Sequence, residues 1–528
     1  MANSLQNMLD TGAQLLAEGR LDEAWILAEL MLRQNKGNPN VLLYVADTAA
    51  MRGDHRAAID CLESLPRDLQ LTITVLLRKA EFLYQHSQRE AALQVARAAA
   101  QVIEPQPWQF HDLARILSGC HDLEGARTLL QRALELLPPN PQLLYDLAVV
   151  EFQLNLVDAA EQHIESLLQI EPLFSGALHL RSALRTQTPE RNHIDDLQDR
   201  LARQPAGGKL EVSACFALAK EYEDLKQYAE SFSVLQRGAA ARRTALAYDS
   251  TRELAAHEAI RARFDRADFD ALAGGYLEES PIFIVGMPRT GTTLVERLLG
   301  SHSQVVSIGE FTEFPTMFGE MMAQSERVQT AARSAAELSL AIDFRDLGRR
   351  YAAAARQLAG GSARFVDKLP YNFLYCGYIL AALPKATIVH LTRDPLDTCY
   401  AVYKTLFFNA YNYSYDLEEL ADYYISYRRQ MAHWHEVMPG RILDVSYEQL
   451  VREPRTQARR ILQWCGLPWE DAVLDFHQQD SPAMTASAMQ VRRPMYTDSI
   501  GSGSRAGSGM DPVRERLLRA GLIEAGPA

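Results

Sequence analysis

Pro281-Ile282-Phe283-Ile284-Val285 runs into Gly286-Met287-Pro288-Arg289-Thr290-Gly291-Thr292-Thr293 and then into Leu294-Val295-Glu296-Arg297-Leu298-Leu299. The first five residues are apolar and rich in β-formers, which predicts a buried strand. The last six predict the start of a helix. Between them, two glycines let backbone N–H groups close around an anion, and the helix start adds the positive end of its dipole. This order predicts an α/β domain with an anion-binding loop.

The spacing Gly286…Gly291 fits the nucleotide P-loop, which reads Gly-x4-Gly-Lys-Ser/Thr. The lysine position, however, is Thr292, and the basic residue of the loop is Arg289. A guanidinium grips two oxygens of an anion, where an ammonium is a point charge. No clear strand ending in an aspartate for Mg²⁺ follows. A P-loop kinase or nucleotide hydrolase is therefore the lesser alternative, and no metal is expected.

Two further stretches carry chemistry. Ala386-Thr387-Ile388-Val389-His390-Leu391 predicts a strand, followed by Thr392-Arg393-Asp394-Pro395-Leu396-Asp397-Thr398. Arg393 then sits at the strand's C-terminal end, where α/β proteins bind ligands. Asp394 and Asp397 read as capping acids of the next helix; a plain salt bridge from Arg393 to them is the alternative. Phe365-Val366-Asp367-Lys368-Leu369-Pro370-Tyr371-Asn372-Phe373 lies between the two elements.

Together these residues resemble the sulfotransferases, whose 5′-phosphosulfate loop commonly reads Pro-Arg-Ser-Gly-Thr-Thr after a strand. The resemblance runs through most of residues 280–500. It implies a P-loop-like α/β domain with a mainly parallel sheet, and the donor 3′-phosphoadenosine-5′-phosphosulfate. By resemblance, Arg289, Thr290, Gly291, Thr292 and Thr293 bind the 5′-phosphosulfate and Arg393 the 3′-phosphate. Lys368, from the family's Asp-Lys-x-Pro-x-Asn stretch, stabilises the leaving oxygen together with Arg289. Glu310, after the predicted strand and turn Val305–Gly309, is the base, with Glu313 and His302 as competitors. Tyr447, after the predicted strand from Ile442, packs near the adenine or serves as a core tyrosine. Ser487 and Arg492 belong to a nucleotide-covering segment.

The chain departs from the family twice. The serine usually found eight residues after the arginine is Ala401. The lid's basic-Trp pair is replaced by Gly501-Ser502-Gly503-Ser504-Arg505-Ala506-Gly507-Ser508-Gly509, which reads as a flexible Gly/Ser linker. Arg505 is the residue that would replace the missing cation. Both departures keep a non-catalytic scaffold open as an alternative.

The N-terminal half is periodic. Ala24, Ala58, Ala92, Ala126 and Ala160 follow one another at a constant interval of 34 residues, each in a similar setting such as Gly19-Arg20-Leu21-Asp22-Glu23-Ala24. A small residue at this interval lets two helices per unit approach closely, and no unit buries its apolar face alone. The pattern resembles the tetratricopeptide repeat over about residues 5–175, with a degenerate unit at about 213–242. It implies an all-α solenoid across residues 1–245, a helical linker at 246–277 and the sulfotransferase domain at 278–528. The whole resembles bacterial fusions of the two. The repeat groove would take a peptide or protein partner, or the array would be a rigid scaffold.

Composition limits the partners. Asp+Glu number 67 against 54 Lys+Arg, a net charge of −13, which argues against a nucleic-acid or anionic-membrane binder. The N-terminal stretch lacks a basic start before an apolar core, so no signal peptide is read, and no apolar run reaches a membrane span. Six scattered cysteines read as reduced thiols. The expected compartment is the cytoplasm. The acceptor, a hydroxyl or an amine, stays open; the repeats suggest a polypeptide.

Overall fold

The computed structural model describes residues 2–86, 88–102, 106–137, 139–203, 207–272, 274–328, 338–408, 410–478 and 495–524. The chain forms two compact units, Met1–Ile170 and Glu171–Ala528.

Among the described residues, helices are the regular elements of the first unit. Helix pairs repeat along it: Pro39–Met51 with His55–Glu63, Ile73–Gln85 with Arg89–Gln101, Pro107–Gly119 with Leu123–Leu136, and Pro141–Gln153 with Val157–Ile170. Ala58, Ala92, Ala126 and Ala160 lie on the second helix of each pair, and Ala24 on the helix Leu21–Gln34; all five are fully buried. A larger side chain there would force the helices apart. Helix starts recur in kind as well. Asn38 and Asn140 cap helices whose first residues are Pro39 and Pro141, and the carboxylates of Asp54 and Asp122 accept from the N–H groups of Ala57 and Gly125.

The second unit is an α/β domain preceded by helices. Five strands, β1 Pro281–Gly286, β2 Val305–Ser307, β3 Arg364–Asp367, β4 Thr387–Thr392 and β5 Ile442–Ser446, form one sheet in the order β2-β3-β1-β4-β5. Every pairing is parallel. Alternate residues feed two cores: Phe283, Val285 and Ile388 on one face, and Ile282, Ile284, Val389 and Leu391 on the other. Burial of both faces explains why β1 reads as an unbroken apolar run. Chain order reverses about β1, with β3 on one side and β4 on the other, so the crevice opens beside the ends of β1 and β4.

The compact units do not divide at 245. The helices Lys209–Asp224 and Tyr228–Thr244, expected as a degenerate repeat, lie in the second unit. Their Phe216 and Phe232 rings meet Tyr415 and Tyr403 at 6.2 and 6.0 Å. The apolar face of this hairpin is thus buried on the sheet domain. Residues 246–277, expected as a linker, are also integral to that core: Phe264 stands edge-on to Tyr378 and Trp434 at 4.9 and 5.3 Å.

The segment expected as a flexible Gly/Ser linker is folded. Ser502–Arg505 makes a helical turn and Gly507–Met510 a 3-10 turn. Two of its glycines serve close approach: a Cβ on Gly503 would lie 2.7 Å from the Leu396 backbone, and Gly509 rests against the Phe232 ring.

Candidate functional site

The glycine loop leaves the end of β1 and returns as the helix Thr292–Gly300. Gly291 is left-handed (φ 100°), and a Cβ there would lie 2.7 Å from the Tyr447 ring. Only glycine meets both demands. Arg289 is also left-handed (φ 68°) without being glycine. Such strain, about 1–3 kcal/mol, gathers at functional sites. Burial, with Arg393 nearby, pulls its guanidinium down to about 10.

β4 lies against β1 with Leu391 opposite Gly286, which carries Arg393 to the loop. Arg393 Nη1 donates to the Arg289 carbonyl at 3.2 Å, and Nη2 donates to the Ser499 carbonyl at 2.6 Å and to Ser502 Oγ at 3.3 Å. Its guanidinium lies 5.0 Å from the centre of the Tyr447 ring, whose hydroxyl meets Ser499 Oγ at 2.7 Å. Its buried Nε has no hydrogen-bond partner among the described residues. Asp397 is 3.7 Å away, so the arginine is not spent on a tight pair with that acid. Asp394 caps the helix Pro395–Tyr403 as expected. Asp397 instead accepts from the N–H groups of Gly501 and Gly503.

A cavity of about 110 Å³ lies among Arg289, Gly291, Thr293, Arg393, Tyr447 and the segment from Met495 to Arg505. Ala401 and Lys404 line it too, as does Glu223 from the hairpin. Two loop residues expected at the ligand are not among its lining. Thr290 is buried and its hydroxyl donates to the Met287 carbonyl at 2.8 Å, shaping the loop from behind; Thr292 is buried at the start of the helix. Ser487 and Arg492 lie outside the described residues.

Lys368 forms a second cluster. It is 1% exposed and holds an ion pair with Glu310, which is 45% exposed, while Glu296 Oε2 lies 3.6 Å from its Nζ. Ser307 Oγ donates to Glu296 Oε1 at 2.6 Å. Glu296 is one helical turn beyond Thr293, so the cluster neighbours the glycine loop. His302 has both ring nitrogens engaged, with Pro468 O at 3.0 Å and the Gln304 N–H at 3.1 Å, and it closes the first helix. Glu313 is buried at the start of the helix Glu313–Val328. Among the three acids and bases weighed, Glu310 is the exposed one.

Glu296, Lys404, Glu223 and Ser499 were missed by sequence reasoning. Glu296 had a local signal, the three-residue step from Thr293. Glu223 had none, since it lies on a separate helix far earlier in the chain.

Residues 281–471 match the family model described as the sulfotransferase family, and residues 121–184 match the tetratricopeptide repeat. The chain thus combines a tetratricopeptide-repeat region with a sulfotransferase-family domain. It is 30% identical over 399 residues to an uncharacterized protein of Aquifex aeolicus (strain VF5), covering 74% of this chain and 52% of that protein. The chain therefore spans about half the length of that relative. It is 25% identical over 279 residues to protein-tyrosine sulfotransferase A of Caenorhabditis elegans, covering 48% of this chain and 67% of that protein. Among solved structures, the sulfotransferase domain of the Synechococcus PCC 7002 olefin synthase aligns with 18% identity and a TM-score of 0.32, over 48% of this chain and 92% of that one. Among the described residues, no helix is long and apolar enough to cross a membrane.

Proposed function

We propose that the C-terminal domain transfers a sulfuryl group from 3′-phosphoadenosine-5′-phosphosulfate to an acceptor hydroxyl, or to an amine. The observation that carries this reading is the meeting of Arg289 and Arg393 in one cavity with Gly291 and Thr293. Two guanidiniums beside a glycine loop and a helix start fit a ligand with two separated anionic groups. The Arg393 Nε, without a hydrogen-bond partner among the described residues, fits the same ligand.

Glu310 takes the acceptor's proton as the acceptor oxygen bonds to sulfur. The bond between sulfur and the phosphate oxygen breaks, and Lys368 and Arg289 stabilise the charge left on that oxygen. Lys368 lies within reach of both Glu310 and Glu296. Movement of its ammonium toward the leaving oxygen frees Glu310 as the proton is taken, while Glu296 keeps the lysine compensated. No metal is needed by this scheme.

Relatives named protein-tyrosine sulfotransferase support a polypeptide hydroxyl as the acceptor class. The repeat region supports a protein partner bound along its groove. All six cysteines are free, which supports the cytoplasm as the compartment.

The test is calorimetric titration with adenosine 3′,5′-bisphosphate, beside the Arg393→Ala variant and a titration with ATP and Mg²⁺. Micromolar binding that is lost in the variant supports the donor site. Binding of ATP–Mg²⁺ alone overturns it in favour of a kinase or hydrolase. Binding of neither favours a scaffold.

A further inference from the structure

Four cations line the donor cavity: Arg289, Arg393, Lys404 and Arg505. Glu223 is the carboxylate among its lining residues, and it comes from the helix Lys209–Asp224 rather than from the α/β core. Lys404 follows Ala401 by one helical turn at the end of the helix Pro395–Tyr403. Its Nζ meets both oxygens of Glu223, at 2.7 and 2.9 Å, and lies 5.0 Å from the centre of the Tyr400 ring. The hairpin's second helix takes part as well: the Arg505 guanidinium lies 6.0 Å from the centre of the Tyr228 ring.

The cations come from separate elements of the fold. Arg289 belongs to the glycine loop. Lys404 belongs with Arg393 and the helix that starts after β4. An anionic group reaching Lys404 meets an ammonium that already donates to both oxygens of a carboxylate. Phosphate and carboxylate are like charges and compete for one cation.

We propose that Lys404 contacts the donor phosphate remote from the glycine loop, and that Glu223 competes with that phosphate for the lysine. The helical hairpin 209–244 then sets donor affinity. This inference rests on the donor reading given above.

The experiment titrates wild type, Lys404→Met, Lys404→Arg, Glu223→Gln and the double variant Glu223→Gln/Lys404→Met, each with adenosine 3′,5′-bisphosphate and with adenosine 5′-monophosphate. Loss of one charged contact weakens bisphosphate binding by about tenfold in Lys404→Met, leaves the monophosphate near wild type, and is rescued by Lys404→Arg. Glu223→Gln tightens the bisphosphate severalfold, and the tightening vanishes in the double variant. Wild-type binding of the bisphosphate with no change in Lys404→Met overturns this inference and spares the donor reading. So does equal weakening of both nucleotides, or weaker bisphosphate binding in Glu223→Gln. Failure of wild type to bind the bisphosphate overturns both. Lys404→Arg keeps the test decisive if Lys404→Met does not fold.

Discussion

The Asp397 carboxylate accepts the backbone N–H groups of Gly501 and Gly503, each at 2.7 Å, one on each oxygen. Asp397 is 2% exposed; its bond from Gly503 is buried and its bond from Gly501 part-buried, and a carboxylate acceptor strengthens both. They tie the folded 501–510 segment to the helix Pro395–Tyr403, which starts two residues after Arg393. Replacing Asp397 by Ala leaves the buried Gly503 N–H without an acceptor and frees the part-buried Gly501 N–H, at a cost of about 1–3 kcal/mol to the docked segment. The expected result is faster amide exchange across residues 499–510 and cleavage at Arg505 by trypsin. Unchanged exchange would show that the segment is held by other contacts.

Gly503→Ala tests the same docking by sterics. The added methyl would lie 2.7 Å from the Leu396 carbonyl group, which is backbone. The expected penalty is about 1–3 kcal/mol, read as a lower unfolding midpoint of the second unit, with weaker binding of adenosine 3′,5′-bisphosphate because Ser499 and Ser502 hold Arg393. Gly507→Ala, left-handed with open space around it (φ 57°), should cost less than Gly503→Ala.

Glu310→Gln separates chemistry from binding. Glu310 is exposed and does not line the cavity that holds Arg289 and Arg393. A general base contributes about 10²–10⁴ in rate, so single-turnover transfer should fall by that factor while the affinity for adenosine 3′,5′-bisphosphate stays as in wild type. Equal losses in both would move Glu310 into donor binding.

Asp367 makes stability depend on pH. It is fully buried, and burial outweighs the Tyr351 hydroxyl that donates to it at 2.6 Å, pushing its carboxyl up to about 8. The native state keeps a proton that the unfolded chain releases above about pH 4. The favourable contribution is therefore full below that pH and is lost as pH rises towards 8. Denaturant unfolding should show wild type losing on the order of a few kcal/mol between pH 5 and pH 8, with a flatter profile in Asp367→Asn, which mimics the protonated acid. Parallel profiles would mean that the carboxyl is ionised throughout.

Ala126→Leu probes the repeat region. Ala126 is fully buried between paired helices, so the larger side chain should destabilise the first unit by about 1–3 kcal/mol. Arg127→Ala, beside it on a partly exposed position, should cost less in the same melting experiment.

Local chemistry was enough for much of this protein. A constant interval of 34 residues requires helix pairs, because only a small residue repeated in phase lets them stack. An apolar run, two glycines and a helix start require a strand–loop–helix unit, because backbone geometry at Gly291 admits no side chain. Arg289 and Arg393 were legible for the same reason: each follows a strand end, where the sheet opens. Tertiary structure decided the rest. Parallel pairing of β1 with β4 set Arg393 against Arg289. Packing against Phe232 and Leu396 turned a Gly/Ser stretch into an ordered wall, since glycine marks close approach as readily as freedom. The hairpin 209–244 joined the sheet domain because its apolar face found Tyr403 and Tyr415 there. Glu223 reached Lys404 by that route, and Glu296 reached Lys368 across the fold. Sequence carries the periodicity and backbone demands of each element, whereas ion pairs between distant elements exist only once the chain has packed.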